Sequence, residues 1–600
     1  MKREHSLPTR DQIKDQYKWR LEDLYEKDEL WEKDYQKAKE SIPYLASFQG
    51  KLGESAQSLL KGLQAFSDTF ELVEKLFVYA HMRRDEDNTR TKYQAMSDRA
   101  MSLNVEVSSA SSYITPEILK IPRDRIRDFL KQEKGLEIFS HYLDEIIRQK
   151  DHILSEREEM ILAQAGDMAN APENIFTMLN NADLKFPVIL DEEGREVEIT
   201  HGRFITLMES KDRRVRKDAF EGLYHTYEKY KNTLASILNG SVKKDIFYSR
   251  MRKYSSALKA SLDQDNVPVQ VYDRLIDTVH QHLPALHRYL SLRKKALGLD
   301  EIHMYDLYVS MVKDYEMKVP YQEAKEMVKK GLEPLGEDYG RHLSEGLENG
   351  WVDVYENRGK TGGAYSWGAY GTHPYVLLNY QDNLDNVFTL AHEMGHALHS
   401  YYSNENQPYI NAGYKILVAE VASTVNEALL MAYMLERSQD RQERLYLLNH
   451  FMEQFRTVIY RQVMFAEFEK LIHRKVEEGE ALTPKLLCSM YRDLNVQYYG
   501  PDIVVDEEIA MEWARIPHFY SAFYVYKYAT GFASAIALSQ MILKEGQQAV
   551  DRYIRFLSSG GSDYPLELLK RAGVDLTTPK PVADALRVFE ETLDQMEELL

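Results

Sequence analysis

The chain has 600 residues, too many for one hydrophobic core, and a globular composition: 44% apolar, 28% charged, only 18 Pro and 29 Gly. A formal net charge of −19 excludes the basic footprint that nucleic-acid binding requires. The single cysteine, Cys488, excludes an intramolecular disulfide and a thiolate metal site, and its apolar setting (LLCSMY) suits a small core residue.

The opening MKREHSLPTRDQIKDQYKW has no apolar run of the kind a signal peptide carries. From about residue 10 to 300 apolar residues recur at three and four, as in SAQSLLKGLQAFSDTFELVEKLFVYAHMRR, which predicts helix almost throughout. The stops are local, at Thr115-Pro116 and Ile121-Pro122, and at the insert FPVILDEEGREVEITHGRF, whose alternation around Glu193-Gly194 predicts a hairpin. That insert places an organisational boundary near residue 200, between an N-terminal helical region (1–200) and a catalytic region (201–600).

At about residue 350 the chain turns rich in Gly and aromatics, with short strand-like runs at 351–355, 364–367 and 375–379. Helix resumes near Leu384 and continues, with loops, to the end. The most apolar late stretch, 528–543, is interrupted by Thr530, Gly531, Ser534, Ser539 and Gln540 and is shorter than the ~20 apolar residues of a membrane span. The expected protein is mainly α, with a small sheet beside its most polar helix, cytoplasmic, without a membrane or nucleic-acid partner, and by default a monomer.

That helix reads NVFTLAHEMGHALHSYYS and contains His392-Glu393-Met394-Gly395-His396. Histidines four apart share a helix face, so both imidazoles can reach one ion, while Glu393 stands beside the metal without ligating it and can act as general base. Chance supplies this motif in roughly one chain of this size in twenty, so its setting matters. Val387, Phe388, Ala391, Ala397 and Leu398 make the helix largely apolar, and three ionisable groups on such a helix need something to satisfy them.

A catalytic zinc needs a third protein ligand and an open position. Six residues past His396 stands Tyr402, with His399 halfway, which excludes the His/Gly pattern of metzincins. The following helix, KILVAEVASTVNEALLMAYML, offers Glu420 and, seven residues on, Glu427; one can ligate while the other orients a ligand from behind. His399 is a further candidate for that supporting role. Nearer the C-terminus, IPHFYSAFYVYKYATGFASA carries His518, Tyr520, Tyr524, Tyr526 and Tyr528; Pro517 predicts an irregular turn at His518, and tyrosines spaced by four could face one way.

The combination His-Glu-Met-Gly-His with Ala-Leu-His, then Ala-Glu-Val-Ala-Ser-Thr with Asn-Glu, preceded by Gly-Lys-Thr-Gly-Gly-Ala-Tyr and followed by His-Phe-Tyr-Ser-Ala-Phe-Tyr, resembles the thimet-oligopeptidase-like metallopeptidases, in particular the oligoendopeptidase F branch. The resemblance spans the chain. It implies two mainly helical lobes flanking a deep channel that admits short unfolded peptides, one zinc ion held by His392, His396 and Glu420, and Glu393 as catalytic base. It further implies that the strand at Gly363, Ala364 and Tyr365 pairs with substrate backbone, that Tyr526 contacts substrate, and that His518, Tyr524 and Tyr528 serve the oxyanion. The His-to-Tyr spacing of this segment departs from the thimet branch, so its tyrosines do not map one to one.

The function expected is therefore zinc-dependent cleavage of internal bonds in oligopeptides. A zinc carboxypeptidase is the alternative, and it would need a cation such as Arg358, Arg515 or Lys527 to hold a free substrate carboxylate. An inactive peptide-binding scaffold is the reading from another class, against which stand the intact Glu393 and both histidines.

Overall fold

The computed structural model describes residues 7–312, 315 and 317–600. The first six residues of the stretch read as lacking a signal peptide lie outside them. Helix accounts for 72% of the chain and strand for 3%, so the protein is mainly α as expected. Seven short strands occur among the described residues: β1 (Val188–Leu190), β2 (Glu196–Glu198), β3 (Ile302–His303), β4 (Val352–Asp353), β5 (Tyr365–Trp367), β6 (Tyr375–Leu377) and β7 (Ile503–Val504). Five helices bear on function: α1 (Ala56–Glu86), α2 (Leu384–Asn406), α3 (Ile416–Arg437), α4 (Arg461–Glu477) and α5 (Tyr526–Glu545).

The chain forms two compact units, each discontinuous in sequence. Unit 1 comprises Met1–Asp151, Glu316–Met434 and Leu538–Val574; unit 2 comprises His152–Tyr315, Leu435–Ala537 and Asp575–Leu600. Contacts thus partition the chain differently from the change in sequence character near residue 200.

In unit 1, Ser55 caps α1 by accepting from the Ser58 amide, and the helix buries Leu59, Leu63, Val73 and Leu76. These join Trp31, Leu103 and Phe139 in one core, which Tyr375 and Leu377 of β6 enter from the sheet. The sheet has the order β4-β6-β5, with β4 parallel and β5 antiparallel to β6, so β5 is an edge strand. Fully buried Asp353 on β4 accepts from Arg10 at 2.7 Å and the Trp19 amide at 3.3 Å, and pairs with Lys360 at 2.7 Å. A buried carboxylate with this many donors ties the N-terminal residues to the sheet. Helix α2 starts where expected, capped by Asn383, whose side chain accepts from the Asn386 amide. By length and composition α3 could cross a membrane, but it is a core helix of unit 1: Val421, Ala422, Val425 and Leu429 are all buried.

In unit 2, β1 and β2 form the expected antiparallel hairpin, its turn closed by Asp191, which accepts from the amides of Glu193 and Arg195. Cys488 is half-buried with its thiol 3.5 Å from the Met511 sulfur, a packing role. Pro517–Tyr520 is a single 3₁₀ turn, as the proline suggested, and α5 begins only at Tyr526.

Candidate metal centre

The two helices that carry the motif residues meet at almost no separation. A Cβ on Gly395 would lie 2.6 Å from the Cα of Ser423 and 2.8 Å from the Ala422 carbonyl oxygen, so only glycine allows α2 to lie this close to α3. Asn426 of α3 locks the contact: its amide donates to the Ala391 carbonyl of α2 at 3.0 Å and its oxygen accepts from the Tyr339 hydroxyl at 2.8 Å. This pairing brings Glu420 to the face of α2 that carries His392 and His396.

The geometry there is specific. His392 Nε2 and His396 Nε2 stand 3.1 Å apart, and Glu420 Oε2 is 3.4 Å from the first and 3.6 Å from the second. These three are the metal-holding group that stands out among the described residues. Zinc donors lie about 2.0–2.2 Å from the ion, so neighbouring corners of a tetrahedron stand about 3.3–3.6 Å apart; the two sides to Glu420 fall in that range and the His–His side is slightly shorter. Glu427 Oε1 is 2.5 Å from His392 Nδ1, which holds the ring with its other nitrogen, Nε2, toward Glu420. Burial pushes the His392 pKa down, yet Glu420 and Glu427 carry it well above its usual value; hydrogen bonds with His392 and His396 hold Glu420 far below its own. The cluster calls for positive charge, which a divalent cation with two imidazole ligands and one carboxylate would supply.

Glu393 is buried beside this triangle, and burial raises its pKa while His392 and His396 oppose the rise. His399 is not brought into the set. It lies on the right face but one turn beyond His396, fully buried, with its ring stacked 3.7 Å from Tyr414 and Nδ1 without a hydrogen-bond partner; burial pushes its pKa down to about 3.

Strand β5 has a free edge with a definite polarity. Val376 and Leu378 donate to the carbonyls of Trp351 and Asp353, each at 2.8 Å, so the alternate residues Tyr375 and Leu377 turn their backbone groups toward β5. They face Trp367 and Tyr365, which leaves the N–H and C=O of Ser366 pointing away from the sheet, with Ala364 in the same phase. Asp85, at the end of α1, fixes this strand by accepting from the hydroxyls of Tyr365 at 2.9 Å and Thr361 at 3.0 Å, and Asn379 donates to the Gly363 carbonyl at 2.8 Å. Asp85 and Gly395 were both missed in the sequence, since each acts through a partner distant along the chain.

In unit 2, His518, Tyr524 and Tyr528 form one cluster: the Tyr528 hydroxyl is 3.4 Å from His518 Nε2, and the Tyr524 and Tyr528 rings meet edge-on at 5.3 Å. Burial, aided by Arg461, lowers the His518 pKa, favouring neutral imidazole. Two expectations fail here. Tyr526 is fully buried against Tyr272 at 5.2 Å, its hydroxyl without a partner, so it is a core residue and not a substrate contact. Tyr520 does not align with Tyr524 and Tyr528, because Phe523 at φ 57° interrupts the run; it is buried and stacks on Phe176 at 4.4 Å. Of the cations available to hold a free substrate carboxylate, Arg515 is bound to Glu512 at 3.0 Å and Lys527 to Asp265 at 2.7 Å, while Arg358 is exposed.

Residues 206–588 match the model of peptidase family M3, and residues 117–186 match the oligopeptidase F model of its N-terminal part. The chain belongs to peptidase family M3. It is 53% identical to oligopeptidase PepF of Bacillus subtilis strain 168 over 100% of this chain and 89% of that one. A Chlamydophila abortus protein of known structure is 35% identical, with a TM-score of 0.94 over 99% of this chain and 100% of that one. Oligoendopeptidase-F from Enterococcus faecium is 39% identical, with a TM-score of 0.74 over 95% of this chain and 99% of that one. The resemblance read from the motifs is therefore correct, and the chain is an M3 metallopeptidase acting on oligopeptides.

Proposed function

We propose that this M3 peptidase is a zinc-dependent endopeptidase that hydrolyses internal bonds of short unfolded peptides, with His392, His396 and Glu420 holding one zinc ion. The observation that carries the reading is the triangle of two Nε2 atoms and one carboxylate oxygen at 3.1, 3.4 and 3.6 Å, with Glu393 buried beside it. Bound there, zinc supplies Lewis acidity, which polarises a scissile carbonyl and makes water a better proton donor.

The chain's own residues do the rest. Glu393, buried beside the ligands, takes a proton from the attacking water and hands it to the leaving amine. Glu427 holds the His392 ring in orientation through Nδ1. The outward N–H and C=O of Ser366 can pair with substrate backbone as an added strand would, beside Gly363 and Ala364, and Tyr365 acts by anchoring the strand on Asp85. His518, Tyr524 and Tyr528 offer donors of the kind a developing oxyanion needs.

The test is hydrolysis of an internally quenched peptide of about eight to twelve residues, blocked at both ends, with and without a chelator. Internal cleavage lost to chelator and restored by zinc supports the proposal. Cleavage only after the C-terminus is unblocked would favour the carboxypeptidase reading, which the engagement of Arg515 and Lys527 weakens.

A further inference from the structure

A cavity of about 650 Å³ opens in unit 1 between the edge strand β5, helix α1 and the short helical turn Tyr409–Ala412. It is separate in role from the metal triangle, but it begins close by: Ser400 and Asn404, one and two turns past His396 on α2, line it. On an α-helix four residues span about 6 Å, so Ser400 stands within one substrate residue or two of the metal ligands. Ser366 and Trp367 of β5 line it as well. A peptide paired with the outward groups of Ser366 would send alternate side chains toward and away from this space.

The lining has a definite chemistry. Seven aromatic residues line the cavity, among them Phe66, Phe70, Tyr142, Trp367, Tyr370 and Tyr409. Several are held in register with one another: Phe66 and Phe70 meet at 4.6 Å, Phe66 and Tyr142 stack at 6.0 Å, and Tyr370 meets Tyr409 edge-on at 5.6 Å. One charged side chain is among the described lining residues, Glu74, whose carboxylate accepts from the Tyr409 hydroxyl and the Tyr370 amide. No lysine or arginine lines the cavity among the described residues.

The geometry points to a side-chain subsite for a cationic residue, lysine or arginine, of the bound oligopeptide, with Glu74 as its counter-charge and the aromatic faces receiving its stem and head. Rings present a negative face to a cation, and a carboxylate shielded from bulk water attracts one more strongly than an exposed carboxylate does. The volume is ample for an arginine side chain. Burial already raises the Glu74 pKa, so its ionised form carries a desolvation cost that an incoming ammonium or guanidinium would relieve. The inference rests on the proposed pairing of substrate backbone with β5.

The test is binding, kept apart from turnover. An octapeptide series blocked at both ends, with lysine, norleucine or glutamate placed at each position in turn, is titrated against the zinc-loaded Glu393→Gln variant of the full chain. One position is expected to rank lysine above norleucine by about tenfold and norleucine above glutamate. In the Glu393→Gln, Glu74→Gln double variant that lysine-to-norleucine ratio falls toward one, and Phe70→Leu, which removes a ring and no charge, lowers it partway. A flat ranking at every position, or a lysine preference that survives Glu74→Gln, overturns the subsite. Peptides that show the ranking yet are not hydrolysed by the wild-type chain would sink the endopeptidase reading and leave the subsite standing.

Discussion

The Cα of Ser423 stands 2.6 Å from where a Cβ on Gly395 would lie, so the residue between Glu393 and His396 that looks least chemical sets the distance between the two ligand-bearing helices. Gly395→Ala removes no ligand but forces α2 off α3. Overpacking of this kind costs about 1–3 kcal/mol, and it should also lower zinc affinity because Glu420 moves with α3. Chelator competition and a denaturant melt check this. An alanine variant that binds zinc and melts as the wild type does would refute the close-approach argument.

Glu427 touches the imidazole of His392 and not the site a metal would occupy. Glu427→Gln keeps all three candidate ligands and weakens the acceptor behind one of them, so zinc affinity should fall about 10–100-fold. The same competition assay reads it; unchanged affinity would make Glu427 an ordinary buried carboxylate.

Glu469 on α4 is fully buried, and burial pushes its pKa well above the usual carboxylate value. One oxygen accepts from the amide of Phe523 at 3.1 Å, at the left-handed residue that directly precedes Tyr524. Glu469→Gln preserves an acceptor for that amide and should cost less than Glu469→Ala, which strands the amide and should cost about 1–3 kcal/mol. Equal losses in urea melts of the two variants would contradict the assigned bond.

Acid should unfasten unit 2 through Glu512. Burial pushes its pKa up, but Arg461 and Arg515 overcome that and hold it at about 2, with the Tyr491 hydroxyl bonded at 2.6 Å. Its folded-state pKa is depressed, so its contribution is complete above the ordinary carboxylate value. It is lost as the pH falls from about 4.5 toward about 2, a change on the order of 3 kcal/mol. Glu512→Gln leaves two buried guanidiniums short of a partner, destabilising the protein at neutral pH by about 3–5 kcal/mol and flattening the acid limb. Urea melts from pH 2 to 7 measure both effects; parallel acid limbs in variant and wild type would assign the loss elsewhere.

What the sequence yielded follows the range over which each feature is encoded. The histidine pair with Glu393 is written within one helix turn and a half, and Glu420 with Glu427 within one further helix, so helical spacing was enough to nominate them. The hairpin at Asp191 and the turn at Pro517 were legible because their residues carry their own backbone preferences. Tyr520 was misread because a spacing of four means one face only on an unbroken helix, and nothing local announces that Phe523 takes a left-handed conformation; Tyr526 was nominated by the resemblance, which does not register its burial against Tyr272. Gly395, Asp85 and the cavity around Glu74 depend on partners tens to hundreds of residues away, which periodicity does not register.

The most direct test of the account is Glu393→Gln, assayed for zinc content, peptide binding and hydrolysis on the same preparation. The account predicts one zinc per chain and peptide affinity retained, with turnover lower by about 10²–10⁴-fold. Turnover at the wild-type rate with zinc bound would contradict the assignment of Glu393 as the base.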